Sequence, residues 1–193
     1  MASGNAGKIR EIARLLRPLG VAVVAQTELG VEDADETGAT FAENSLIKAR
    51  HAAAATGLAV IADDSGLAVD ALDGRPGVYS ARYSGEHAND DRNIDKLLDE
   101  LRGADDESRG ASFHCVATFV EPDDPVVLQA EGEWRGSILR ERKGKGGFGY
   151  DPVFLDPESG RSAAQLSSGE KNARSHRGQA LRKLVALLEH RYT

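Results

Sequence analysis

Apolar residues return at helical intervals along much of this chain, and short unbroken apolar runs separate the helical stretches. Ile9, Ile12, Leu15 and Leu16 recur at helical spacing until Pro18 and Gly20 interrupt them, which predicts a loop followed by a helix. Val21 to Ala25 then reads as a short buried strand, and the acidic stretch from Glu28 to Glu36 as a connecting loop. Thr40 and Glu43 have capping-box spacing ahead of an alanine-rich run to Ala55, and Gly57 stands where a helix ends, so a second helix is expected. Ala59 to Ala62 is a strand-like run that leads into Asp63-Asp64-Ser65-Gly66. This places the acidic pair at a strand end, the position where open α/β sheets bind ligands.

Further along, the glycine- and proline-bearing stretch from Asp73 to Gly85 predicts a structured loop, followed by a third helix through Ile94, Leu97, Leu98 and Leu101. Ala111 to Val120 and Val126 to Trp134 flank a Pro-Asp-Asp-Pro turn and predict a long antiparallel hairpin. After the glycine cluster at Gly144 to Gly149, a last helix carries Leu181, Leu184, Val185 and Leu188 on one stripe. The chain has no internal repeat, low-complexity tract or linker, and 193 residues with 40% hydrophobic content predict one compact domain over 1–193.

Charge and cysteine usage narrow the function. A formal net charge of −7 argues against a protein that grips nucleic acid by its phosphates, since such proteins concentrate Lys and Arg on a basic face. A local basic pocket for a small polyanion is compatible with it. The single cysteine, Cys115, has no internal disulfide partner, and no charged-then-apolar leader precedes the first motif, so a cytoplasmic protein is expected. No apolar run approaches the ~20 residues of a membrane-spanning helix, so no membrane partner is expected.

Several segments carry candidate chemistry. Ser3-Gly4-Asn5-Ala6-Gly7-Lys8 puts a loop of small residues at a helix start, where unpaired N–H groups and the helix dipole attract anions; the alternative is Asn5 as a helix cap with Lys8 in solvent. The P-loop spacing is absent. Asp63 and Asp64 repel each other beside an apolar strand unless a cation separates them, and a divalent metal held by Asp64 with Asp35 or Glu36 would do so; the alternative is a turn capped through Ser65 and Gly66. On the second helix Glu43 and Lys48 lie about 140° apart, so Glu43 can cap while Lys48 turns either to solvent or to phosphates. Gly146-Gly147-Phe148-Gly149-Tyr150-Asp151-Pro152 combines backbone freedom with two rings, which suits either a tight turn or a loop presenting flat faces and amides to a base. Lys171 and Ser175-His176-Arg177-Gly178 place donors near the start of the last helix.

These segments, in this order and together with Thr40-Phe41-Ala42-Glu43-Asn44 and Gly77-Val78-Tyr79-Ser80-Ala81-Arg82-Tyr83, resemble the inosine/xanthosine triphosphate pyrophosphatase family over nearly the whole chain. The resemblance implies an α/β fold with an elongated mixed central sheet, helices packed on it, and two lobes around a substrate cleft. It also implies a homodimer that uses Mg2+ to split ITP, dITP or XTP between the α- and β-phosphates into monophosphate and pyrophosphate. By position, Ser3, Gly4, Asn5, Ala6, Gly7 and Lys8 would hold the phosphates, with Lys48 turned toward them, and Asp64 would activate water. Asp35 and Asp64 would hold the metal, Asp63 would support the catalytic centre, and Ser65, Phe148, Gly149, Tyr150, Asp151, Lys171, His176 and Arg177 would contact the nucleotide. Two departures stand out. Relatives often carry Glu where this chain has Asp35, which makes Glu36 a substitute ligand. The family also has an apolar strand before its Ser/Thr-Gly-Asn loop where this chain has only Met1-Ala2, which leads to the expectation that the assigned start falls inside that strand. A pyrophosphatase of broad base preference and a non-hydrolytic nucleotide sensor are the competing readings.

Overall fold

The structure, a computed structural model, describes residues 1–2, 6–17, 20–85 and 87–192. Helix α1 spans Ala6–Leu16, α2 Phe41–Thr56, α3 Asp90–Glu100, α4 Ser168–Arg174 and α5 His176–Tyr192. Strands β1 (Val60–Val69), β2 (Gly110–Val120), β3 (Val127–Ile138), β4 (Phe154–Asp156) and β5 (Arg161–Ser162) form one sheet in chain order. The last pairs are antiparallel, with Ser137 opposite Leu155 and Leu155 opposite Ser162. The α/β class is therefore the one expected. The capping box of α2 forms as the spacing predicts: Thr40 Oγ1 accepts from Glu43 N at 3.1 Å, Glu43 Oε2 accepts from Thr40 N at 3.1 Å, and Gly57 closes the helix in the left-handed region.

The fold corrects two readings of the sequence. Val21 to Ala25 forms no regular strand, and Val21 and Val24 are exposed, with only Ala25 of the run fully buried. An apolar run becomes a strand only where neighbours supply a hydrogen-bond ladder. Here Met1 supplies two bonds, its amino group donating to Val24 O at 2.7 Å and its carbonyl accepting from Gln26 N at 3.0 Å, Ala2 N donates to Ile61 O at 2.9 Å, and Ala25 N turns to Glu28 Oε1. Asp63 and Asp64 also lie within β1 and not at a strand end. The strand continues past them because Leu67 and Val69 are fully buried in the core beyond.

The chain divides into two compact units, 1–64 with 115–132 and 176–193, and 65–114 with 133–175. In the first, strand alternation sorts the side chains. Ile61, Cys115, Ala117 and Phe119 pack with Ile12 and Leu16 of α1 and Leu181, Leu184 and Leu188 of α5. Val60, Ala62 and Val120 face the other way, onto Ala49, Ala52 and Ala53 of α2. In the second unit Phe154 packs between Phe113 and Trp134, with ring centroids 4.6 and 5.0 Å away, above Leu97 and Leu101.

Candidate active site

The parity of β1 decides what each aspartate meets. Successive residues of a strand point to opposite faces, so Asp63 falls on the α1/α5 side with Ile61, and Asp64 on the α2 side with Val60 and Ala62. The repulsion expected of adjacent carboxylates is relieved by this separation and by a different set of cations for each.

Asp63, with no exposed side-chain surface, places Oδ2 2.9 Å from Lys8 Nζ and 3.1 Å from Arg177 Nε. Burial works against its ionisation, but Lys8 and Arg177 outweigh it and hold the carboxyl well below the usual carboxylate range. Cys115 lies 3.9 Å from the same oxygen, and burial, aided by the Asp63 charge, pushes its thiol up. Lys8 is thus neither in solvent nor isolated. Arg177 reaches Asp63 because Gly132 in β3 admits the first turn of α5: a Cβ there would collide with the carbonyl of His176 and stand 2.7 Å from Ala180 N.

Asp64 accepts from Lys48 Nζ at 2.8 Å, and the same ammonium donates to Glu36 Oε1 at 2.9 Å. Lys48 therefore bridges the strand carboxylate to the acidic loop, while Glu43 stays with the cap as its helical angle requires. Burial raises the Asp64 carboxyl above its ordinary value. Lys48 opposes this, the nearby Glu36 charge adds to the rise, and the Asn44 amide favours the ionised form. For Lys48 burial works against the charged form, but two carboxylates overcome it and its pKa is raised. Both partners shift upward because Lys48 has two anions to serve it and the buried Asp64 has one strong cation.

Asp64 Oδ2 is buried and has no hydrogen-bond partner among the described residues. A buried carboxylate oxygen of this kind, with a second carboxylate on the same lysine, fits the hard oxygen donors that magnesium prefers. Glu36 is the acid that meets Lys48; Asp35 is exposed. Ser3, Gly4 and Asn5 lie outside the described residues, and Ala6 and Gly7 open the backbone of α1. Ser65, half-buried, follows Asp64 in β1, and His176, buried, begins α5.

The remaining expected contacts lie in the second unit. Phe148 N donates to Asp151 Oδ2 at 2.8 Å and Gly149 N to Asp90 Oδ2 at 2.6 Å, so two carboxylates hold the aromatic loop by its backbone. Lys171, on α4, pairs with the same Asp151 oxygen and lies 4.6 Å from the centroid of the Phe148 ring, which is exposed. Tyr150 is buried, and its hydroxyl donates to Ser80 O at 2.9 Å. Ser80 also accepts Leu67 N through Oγ at 2.8 Å and donates to Gly77 O, which accounts for the Gly77–Tyr83 segment as a brace under the loop. Sequence reasoning passed over Asp90 and met Asn44 only as part of a motif, without a role. Each is one polar residue in a helix's first turns, and only its contact, with Gly149 for Asp90 and with Gly38 for Asn44, distinguishes it from a solvated neighbour.

Known proteins match this chain over nearly all its length. Residues 1–187 match the Ham1 family. A protein of Pectobacterium atrosepticum named dITP/XTP pyrophosphatase is 57% identical over 97% of this chain and 96% of its own length. One of the same name from Escherichia coli K12 is 55% identical over the same shares. The solved structure of a HAM1 protein from Coxiella burnetii superposes with a TM-score of 0.91 at 51% identity, covering 97% of this chain and 96% of that one. The Staphylococcus aureus Ham1 protein gives 0.89 at 42% identity, over 98% and 97%. Sequence, fold and the order of the polar segments agree: this chain belongs to the Ham1 family.

Proposed function

We propose that this protein hydrolyses deaminated purine nucleoside triphosphates, ITP, dITP and XTP, to the monophosphate and pyrophosphate. The observation that carries the reading is Asp64, a buried carboxylate with a raised pKa, set by Lys48 against Glu36 on the α2 side of β1. A general base works best when its pKa lies toward the operating pH, and the burial of Asp64 moves it in that direction. Asp64 takes the proton of the attacking water. Lys8 and Arg177, fixed by Asp63, and Lys48 supply positive charge where phosphoryl transfer develops negative charge, together with the backbone N–H groups of Ser3 to Gly7. Asp64 with Asp35 or Glu36 would hold Mg2+, which would supply neutralisation of the polyphosphate. Phe148 gives the purine a flat face, with Ser65, Gly149, Tyr150, Asp151, Lys171 and His176 setting its surroundings. A donor that reads the 6-keto oxygen is left unpaired by adenine, which carries an amino group there, and this disfavours ATP. The resemblance also assigns a cytoplasmic homodimer, which light scattering tests for its stoichiometry; among the described residues no helix is long and apolar enough to cross a membrane.

The deciding experiment measures pyrophosphate release from ITP, XTP, GTP and ATP, with Mg2+ and with chelator. Release from ITP and XTP far above ATP, abolished by chelator, is expected. Similar rates for all four would make the enzyme a general pyrophosphatase, and no release from any would leave a binding protein. Asp64→Asn should lower turnover by a factor of ~10² or more while ITP still binds; unchanged turnover would remove Asp64 as the base.

A further inference from the structure

The acidic loop that carries Glu36 has no regular structure of its own, yet Glu36 meets Lys48 at a defined place. Several side chains hold this loop, and one of them is buried completely. Asn44 is fully buried in the first turns of α2, and its Oδ1 accepts from Gly38 N at 2.8 Å. Gly38 stands two residues after Glu36. Asn44 and Lys48 are four apart on α2 and therefore share a helix face, so the helix holds the loop at Gly38 and Glu36 one turn apart, with Glu43 at Ala39 N and His51 at Glu32 O to either side. The approach is close enough that a Cβ on residue 38 would lie 2.7 Å from Asn44 Oδ1 and 2.7 Å from Glu43 Cβ. Only glycine permits it without displacing the loop.

Asn44 Nδ2 and Asp64 Oδ2 are both buried and make no hydrogen bond among the described residues.

We propose that Asn44 is a positioning residue for the metal site: by holding Gly38 it sets the height of the loop that delivers the Glu36 carboxylate. Asn44 touches neither substrate nor reacting atoms in this assignment. It rests on the reading that Asp64 and Glu36 hold a divalent cation. Partners that orient metal-binding side chains typically affect metal affinity by 10- to 100-fold.

The test is Mn2+ binding to the full chain without nucleotide, followed by electron paramagnetic resonance of the free ion, for the unaltered protein, Asn44→Ala and Gly38→Ala. Thermal melts establish that each is folded. Asn44→Ala removes the acceptor of Gly38 N, and Gly38→Ala forces the loop away from Asn44 and Glu43, so each should weaken Mn2+ by about 10-fold or more. Affinity within about two-fold of the unaltered protein in a folded Asn44→Ala would overturn the assignment. If Asn44→Ala does not fold, Gly38→Ala alone decides by the same threshold. Failure of the unaltered protein to bind Mn2+ would instead sink the metal reading, and this inference with it.

Discussion

Asp63 and Asp64 are neighbours in the chain with different partners, and this difference makes them separable by experiment. Asp63 is the shared anion for Lys8 and a buried Arg177, so replacing it by alanine leaves a buried and a largely buried cation uncompensated. Asp63→Ala should lose roughly 3–5 kcal/mol of stability in urea denaturation, the range for breaking one side of a buried pair. The pH dependence has a definite sign. Since folding depresses this carboxyl, its contribution is fully present above the unfolded value, about 4, and is lost as pH falls through the lower folded value. The melting temperature of the unaltered protein should therefore fall more steeply in acid than that of Asp63→Asn. Cys115 belongs to the same buried cluster, and its raised thiol should react with Ellman's reagent only after denaturation; prompt reaction in the native protein would contradict its burial. The residue types at these positions were legible from the sequence as candidates. Which carboxylate takes which cation was not, because that depends on strand parity and on helices far away in the chain.

The elements show where local pattern suffices and where it does not. The boundaries of α2 follow from Thr40, Glu43 and Gly57, residues within the helix's own span or one beyond it. Thr40→Ala should accordingly cost about 1 kcal/mol, read as a lower melting temperature, with little effect on the rest of the molecule. Helices α1, α3 and α5 were equally readable from their apolar stripes, and β2 with β3 from their alternation about a turn. Helix α4 and the short strands β4 and β5 were not, since seven, three and two residues hold too few periods to stand out. The Val21–Ala25 run failed for the opposite reason: it has the composition of a strand but not its ladder. At the α5 N-terminus a single glycine matters more than any stripe. Gly132→Ala should force the first turn of α5 outward, at a cost of about 1–3 kcal/mol, and shift Arg177 from Asp63. A melting temperature equal to that of the unaltered protein would show that the turn yields freely.

At the scale of the molecule, β1, β2 and β3 each run from one compact unit into the other. Backbone continuity through three strands favours a single unfolding transition over two. Phe154→Ala, in the aromatic cluster, should destabilise by about 3–5 kcal/mol. Trp134 fluorescence, reporting the second unit, and far-UV dichroism, reporting both, should then still move together to a lower midpoint. Separated transitions would show that the strands transmit less than their continuity suggests. The amino-acid sequence by itself determined the helix stripes, the caps, the hairpin and the inventory of charged and glycine-rich segments that mark the family, because each is written in residues a few positions apart. Tertiary structure alone decided that the two aspartates lie inside a strand on opposite faces, that Glu36 reaches Lys48, and that Asn44 holds the loop at Gly38. The first depends on which surfaces β1 presents to α1, α2 and α5, and the other two on how the loop folds back onto α2, and none of these leaves a periodic trace in the chain.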